Sequence, residues 1–238
     1  MKVVLITGGT RGIGREMVKA FSEKGYSVAF TYLKSDALAK ELSAETGALA
    51  IKADSRVESE TLSAVKEVEE KLGFVDILIN NAAVSSFSLF TDITAEEWHD
   101  MFSTNVDGVF YYTKSVLRGM ISKKCGRIIN ISSMWGSVGS SCEVHYSATK
   151  AAIIGMTKAL AKELGPSGIT VNCIAPGLID TDMNSSLTEA DISEIVDSTP
   201  LMRIGKPHDV AAAAIFLASE DASFITGELL NLSGGLIV

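Results

Sequence analysis

Short runs of apolar, largely β-branched residues recur along the chain: Val3–Ile6, Val28–Phe30, Leu49–Ile51, Ile77–Ile79, Ile128–Ile131, Ile169–Val171 and Leu229–Leu232. Successive positions within each run are mostly apolar, without strict alternation. That pattern belongs to strands covered on both faces, and therefore to a parallel sheet. Between the runs the apolar spacing becomes helical. Ile13, Met17, Ala20 and Phe21 share one face, Val65, Val68 and Leu72 a second, and Val210, Ala213, Ala214 and Leu217 a third. Gly25 and Gly73 stand where helices stop. Repeated strand–helix–strand units joined by right-handed crossovers predict a single α/β domain over residues 1–238. Its core is a doubly wound parallel sheet of about seven strands with helices on both faces. Residues 178–203 break the rhythm. They are expected to form a substrate lid, with a short acidic helix around Leu187–Val196.

Composition narrows the function. With 47% hydrophobic residues and 21% charged, the chain can bury a large core, and its net charge of −8 disfavours nucleic acid as a partner. Cys125, Cys142 and Cys173 are widely spaced and unpaired in pattern, which suits a reducing compartment. His99, His145 and His208 show no ligand spacing, so no metal is expected. No stretch approaches the roughly 18 apolar residues of a membrane span, and the run at Val3–Ile6 is too short for a signal segment. A cytoplasmic location away from membranes is the expectation.

The chemistry begins directly after the first strand, at Thr7-Gly8-Gly9-Thr10-Arg11-Gly12-Ile13-Gly14. Glycines at 8, 12 and 14 permit a tight turn, close approach of backbone to a pyrophosphate, and tight helix–strand packing. The helix that follows presents free N–H groups to the anion. This is the placement of a Rossmann-type dinucleotide loop. The second strand carries no acid at its end, where a ribose 2′-hydroxyl is usually gripped, and the first acid is Asp36. Arg11 and Lys34 are placed to pair with a 2′-phosphate, which favours NADP(H) over NAD. Further along, Ser133 follows the fifth strand, and Tyr146 and Lys150 are one helical turn apart. An ammonium beside Tyr146 is expected to lower the phenol's ordinary pKa of about 10, letting it exchange a proton with a substrate oxygen. Ser133 is expected to orient that oxygen.

Together these residues resemble the short-chain dehydrogenase/reductase family over essentially the whole chain. The resemblance implies a catalytic set of Ser133, Tyr146, Lys150 and Asn105, with Asn105 and Lys150 linking the site to solvent through waters. It implies cofactor contacts from Gly8, Thr10, Arg11, Gly12, Ile13, Gly14, Lys34, Asp54, Asn81, Tyr146, Lys150, Pro176, Gly177, Ile179 and Thr181. Asp54 would contact the adenine and Ile179 the carboxamide. A homotetramer is also implied, with the small residues Ala151, Ala152 and Gly155 allowing close helix packing between subunits. Two motifs depart from the family: Asn80-Asn81-Ala82 continues with Ala83 in place of glycine, and Ser233-Gly234-Gly235 lacks an acid.

Two substrates compete. The overall pattern is similar to 3-oxoacyl-[acyl-carrier-protein] reductases of fatty acid synthesis, for which Lys123, Lys124 and Arg127 would supply a basic patch near the site entrance for the carrier protein. Ser167 stands where a further basic residue is common. The segment Ser133–Tyr146, with Trp135, Cys142 and Glu143, resembles reductases that act on 5-aminopentanone-modified elongation factor P. There, Glu143 near the pocket mouth would suit a substrate amine. A third possibility, of another class, is a non-catalytic NADP-binding sensor. Such proteins typically lose the tyrosine or the lysine, and both are present here.

Overall fold

The structure, a computed structural model, describes residues 1–185 and 187–237. Seven parallel strands form one sheet in the order β3-β2-β1-β4-β5-β6-β7. They are β1 (Val3–Ile6), β2 (Ser27–Tyr32), β3 (Leu49–Lys52), β4 (Ile77–Asn80), β5 (Gly126–Ile131), β6 (Ile169–Pro176) and β7 (Leu229–Leu232). Strand order reverses between β1 and β4, so the crevice opens at their carboxyl ends, where an α/β sheet places its ligands.

The doubly apolar strands explain the two layers. Val4 and Ile6 of β1 join one core with Met17, Val18 and Phe21 of α1 (Gly12–Glu23), Leu42 of α2 (Asp36–Thr46) and Val210 and Leu217 of α9 (Pro207–Ala218). Val3 and Leu5 point the other way. They meet Val65 and Val68 of α3 (Glu58–Leu72), Tyr112 and Val116 of α5 (Gly108–Lys123) and Leu164 of α7 (Val144–Leu164). Burial of these aliphatic side chains, worth about 1.5–3 kcal/mol each, holds both helical layers to the sheet.

Three elements differ from the sequence reading. β6 extends five residues past Val171 because Asn172, which broke the apolar run, is satisfied while buried: its Nδ2 donates to the Ile225 carbonyl at 2.8 Å. α4 (Ala95–Phe102) continues through a π-helical turn, Ser103–Asp107, into α5. A single turn, α6 (Trp135–Val138), packs on α7. Within 178–203, a 3₁₀ turn at Asp182–Asn184 precedes α8 (Glu189–Ser198), which starts at a capping box between Thr188 and Asp191.

Candidate active site

Two adjoining cavities open over the carboxyl ends of the strands. The larger, about 650 Å³, runs along the glycine loop and past Tyr32, Leu33, Lys34, Asp54 and Arg56. The smaller, about 210 Å³, holds Ser133, Tyr146, Lys150, Pro176, Gly177 and Ile179. Ile13, Asn81, Ala83, Ser85, Thr181 and Met183 border both.

The loop is built to bring backbone near a ligand. Gly12 has φ +48°, the left-handed region that disfavours side chains, and a Cβ on Gly14 would run into the Gly8 carbonyl oxygen. The loop's shape is fixed from β4. Thr7 Oγ1 accepts from the amides of Asn81 and Ala82 at 2.9 and 3.0 Å, and Asn81 Nδ2 donates to the carbonyls of Thr7 and Gly8 at 3.0 and 3.1 Å. Ala83 has no positive φ, so the position where the family has glycine needs none here. Arg11 reaches Asp182 at 3.4 Å, while Lys34 makes no ion pair among the described residues. Arg56 grips Asp54 at 2.7 Å and holds its carboxyl below the usual range. A cleft that passes the N-terminus of α1, with Arg11 at its cap, and the Lys34 side chain fits a dinucleotide phosphate. Thr10 is buried behind the loop and does not line the cleft.

Ser133 and Tyr146 both line the smaller cavity. Burial pushes the Tyr146 phenol up to about 12, against a hydrogen bond from Ser133 that lowers it, and Glu143 adds to the rise. Lys150, fully enclosed, is pulled down to about 8 by burial. Its Nζ donates to the Ile131 carbonyl at 2.9 Å and lies 5.6 Å from the centroid of the Tyr146 ring. The expectation that Lys150 depresses the Tyr146 pKa is therefore corrected: the ammonium is engaged by β5 backbone, and desolvation of the phenol dominates. Asn105 lies outside both cavities, buried in the π-helical turn. Its Oδ1 accepts from the Val84 amide at 2.9 Å, and its Nδ2 donates to Val84 O and Thr149 Oγ1 at 2.9 and 3.1 Å.

The basic patch expected at the site entrance is elsewhere. Lys123 and Lys124 end α5 and Arg127 begins β5, at the opposite end of the sheet from Ser133. Lys123 pairs with Asp76, and Arg127 is buried against Glu220. The smaller cavity carries a buried acid instead: Glu143 is 5% exposed, lines the cavity, and makes no cap hydrogen bond to α7. Burial raises its carboxyl, with Ser140 opposing. Sequence reasoning missed Ser85, Phe87, Met183 and Leu187, which line the pocket, because irregular loops carry no periodic signal. Arg56 was readable as a cation two residues after Asp54.

The comparisons with known proteins agree with this geometry. A family model described as enoyl-(acyl carrier protein) reductase matches residues 8–237. An acetoacetyl-CoA reductase from Rhizobium meliloti is 42% identical over 235 residues, covering 98% of each chain. The chain belongs to the short-chain dehydrogenase/reductase family. FabG proteins, 3-oxoacyl-[acyl-carrier-protein] reductases, align along nearly their whole length too: 41% identity with that of Haemophilus influenzae (99% of this chain, 98% of the relative) and 38% with that of Staphylococcus aureus strain Mu50 (99% and 98%). This family member is a ketoreductase, an oxidoreductase of CH–OH and C=O groups, and such enzymes use NAD(P)H. No helix among the described residues is long and apolar enough to cross a membrane.

Proposed function

We propose that the protein is an NADPH-dependent reductase of 3-oxoacyl thioesters, with acyl-carrier protein as the substrate's bearer and the cytoplasm as its location. The carrying observation is that Ser133, Tyr146 and Lys150 line one small cavity that adjoins the glycine-loop cleft. Relatives at about 40% identity bear the names of acetoacetyl-CoA and 3-oxoacyl-carrier reductases, which supports the thioester.

The bound dinucleotide supplies hydride to the carbonyl carbon. The chain's own residues do the rest. Ser133 donates a hydrogen bond to the substrate oxygen and orients it. Tyr146, fully protonated at neutral pH, hands its proton to that oxygen as negative charge develops. Lys150 holds a positive charge below the phenol, and Asn105 fixes the turn through which protons reach the site. Arg11 and Lys34 would hold a 2′-phosphate, and Asp54, fixed by Arg56, would border the adenine.

Glu143 favours a second reading, a ketone bearing an amine such as 5-aminopentanone-modified elongation factor P. A buried carboxylate without a cation is costly, and a substrate ammonium would relieve that cost. The deciding experiment is parallel turnover of acetoacetyl-carrier protein, acetoacetyl-CoA and aminopentanone-modified factor P, followed by loss of NADPH absorbance. Preference for the thioesters supports the first reading, and preference for the factor overturns it. Firm NADPH binding with no turnover of any ketone would establish a sensor instead.

A homotetramer is part of the proposal. Ala151 and Gly155 are exposed on α7, and nothing lies within 4 Å of a Cβ placed on Gly155, so intrachain packing does not account for their small size. Sedimentation should find four chains, and Gly155→Arg should shift the protein to smaller species.

A further inference from the structure

The chain after β4 runs from Val84 to Ser88 without regular secondary structure, yet every second residue is fastened to the wall behind it. Val84 is held at both its N–H and its C=O by Asn105. Ser86 Oγ is hydrogen-bonded to His145 Nε2 at 2.8 Å. The Ser88 amide donates to the Cys142 carbonyl at 2.8 Å. The residues between these fastenings, Ser85 and Phe87, both line the small cavity beside Tyr146. Phe87 is 58% exposed, so packing alone does not fix its ring, and the fastenings on either side set its place.

Of the three fastenings, the middle one depends on two side chains. His145 is fully buried and does not line the cavity that its neighbour Tyr146 enters. Its Nδ1 has no hydrogen-bond partner among the described residues, so Ser86 is the ring's one polar anchor there. A buried imidazole held in this way is poorly explained by packing, because an apolar side chain would fill the space without the desolvation cost.

We propose that His145 is a positioning residue for the ketone: through Ser86 it holds Ser85 and Phe87 as one wall of the substrate pocket. The inference rests on the ketoreductase reading of that pocket. It predicts a larger effect on substrate affinity than on the dinucleotide cleft, because Phe87 lines the smaller cavity alone while Ser85 borders both.

The test compares the full-length enzyme with His145→Leu, Ser86→Ala, the double variant and His145→Gln, at saturating NADPH. Ser86 is exposed, so Ser86→Ala keeps the fold even where His145→Leu does not. Each single change should raise KM for the ketone about tenfold, equivalent to about 1.4 kcal/mol. kcat should stay within about threefold, the range left when the reacting groups are untouched. The double variant should be no worse than the worse single one, and His145→Gln should recover most of the affinity. NADPH affinity, read by fluorescence, should change by less than about threefold, well short of the change in KM, since Ser85 borders the dinucleotide cleft only at its edge. Unchanged KM in folded Ser86→Ala overturns the proposal. So do additive effects, or KM, kcat and NADPH affinity deteriorating together. An unmodified enzyme that reduces no ketone sinks the underlying reading, and this inference with it.

Discussion

Tyr146 and Lys150 show that residues placed on one helix face need not act on each other through their charges at rest. Burial drives the phenol up to about 12 and the ammonium down to about 8. The raised value keeps the phenol in the protonated form that reduction requires, while making it a weaker acid than a free phenol, so the transfer depends on the charge that develops on the substrate oxygen. Tyr146→Phe should lower kcat by about 10²–10⁴, the usual loss with a general acid, while NADPH affinity by fluorescence stays near that of the parent. Equal turnover by the Phe variant would remove Tyr146 from the chemistry. Lys150 carries a stability cost with a definite sign. Its pKa falls from 10.5 to about 8 on folding, so the unfolded chain binds more protons between those values. The cost is fully present below about pH 8 and fades as pH rises toward 10.5. It is offset by the hydrogen bond to Ile131, worth about 1 kcal/mol. Lys150→Met should therefore be inactive yet more stable at pH 7, by roughly 1–2 kcal/mol, or about 2–8 °C in Tm. Thermal scans should show that advantage shrinking at pH 10, and a Met variant less stable than the parent at pH 7 would refute the sign.

Among the elements, strands with apolar residues facing both layers were legible because no other common element asks for such runs. β1 illustrates this: Val4 and Ile6 face one layer, Val3 and Leu5 the other. Polar residues inside elements were the blind spot. Asn172 ended the visible run in β6, although its side chain is fully used by the Ile225 carbonyl and the Glu228 amide. The misplaced basic patch has a topological cause. Ser133 leaves the carboxyl end of β5 and Arg127 enters its amino end, so one strand length separates them. The acidic segment over the site was readable as a helix, and its start is set by Thr188 and Asp191. No residue of α8 is fully buried, so its order rests on that cap and on the half-buried Ile192, Ile195 and Val196. Thr188→Ala should cost α8 about 1 kcal/mol. Hydrogen exchange of its amides should then speed by about fivefold, with the global Tm unmoved. A shift in Tm would mean that α8 unfolds with the core and is no separate lid.

At the scale of the whole molecule, charge opposes the ligand. A net charge of −8 repels a dinucleotide that is itself strongly anionic, so binding depends on local features of the opposite sign. The structure gathers them along one cleft: the N-terminus of α1, Arg11 and Lys34. The sequence brought those groups together because each follows a strand end, but it did not reveal that Asp182, from the segment after β6, pairs with Arg11. On the NADPH reading proposed above, Lys34 is the freer partner for a 2′-phosphate. Lys34→Ala should lower kcat/KM for NADPH about tenfold and leave NADH nearly unchanged, since the two cofactors differ by that phosphate alone. The contact is exposed to solvent, so the preference for NADPH should also shrink as salt is raised from about 0.05 to 0.5 M, over which screening shortens from well above the contact distance to near it. Steady-state rates with both cofactors, at both salt concentrations, provide the check. A preference that resists salt and survives Lys34→Ala would place 2′-phosphate recognition on the backbone of the glycine loop, away from the two cations.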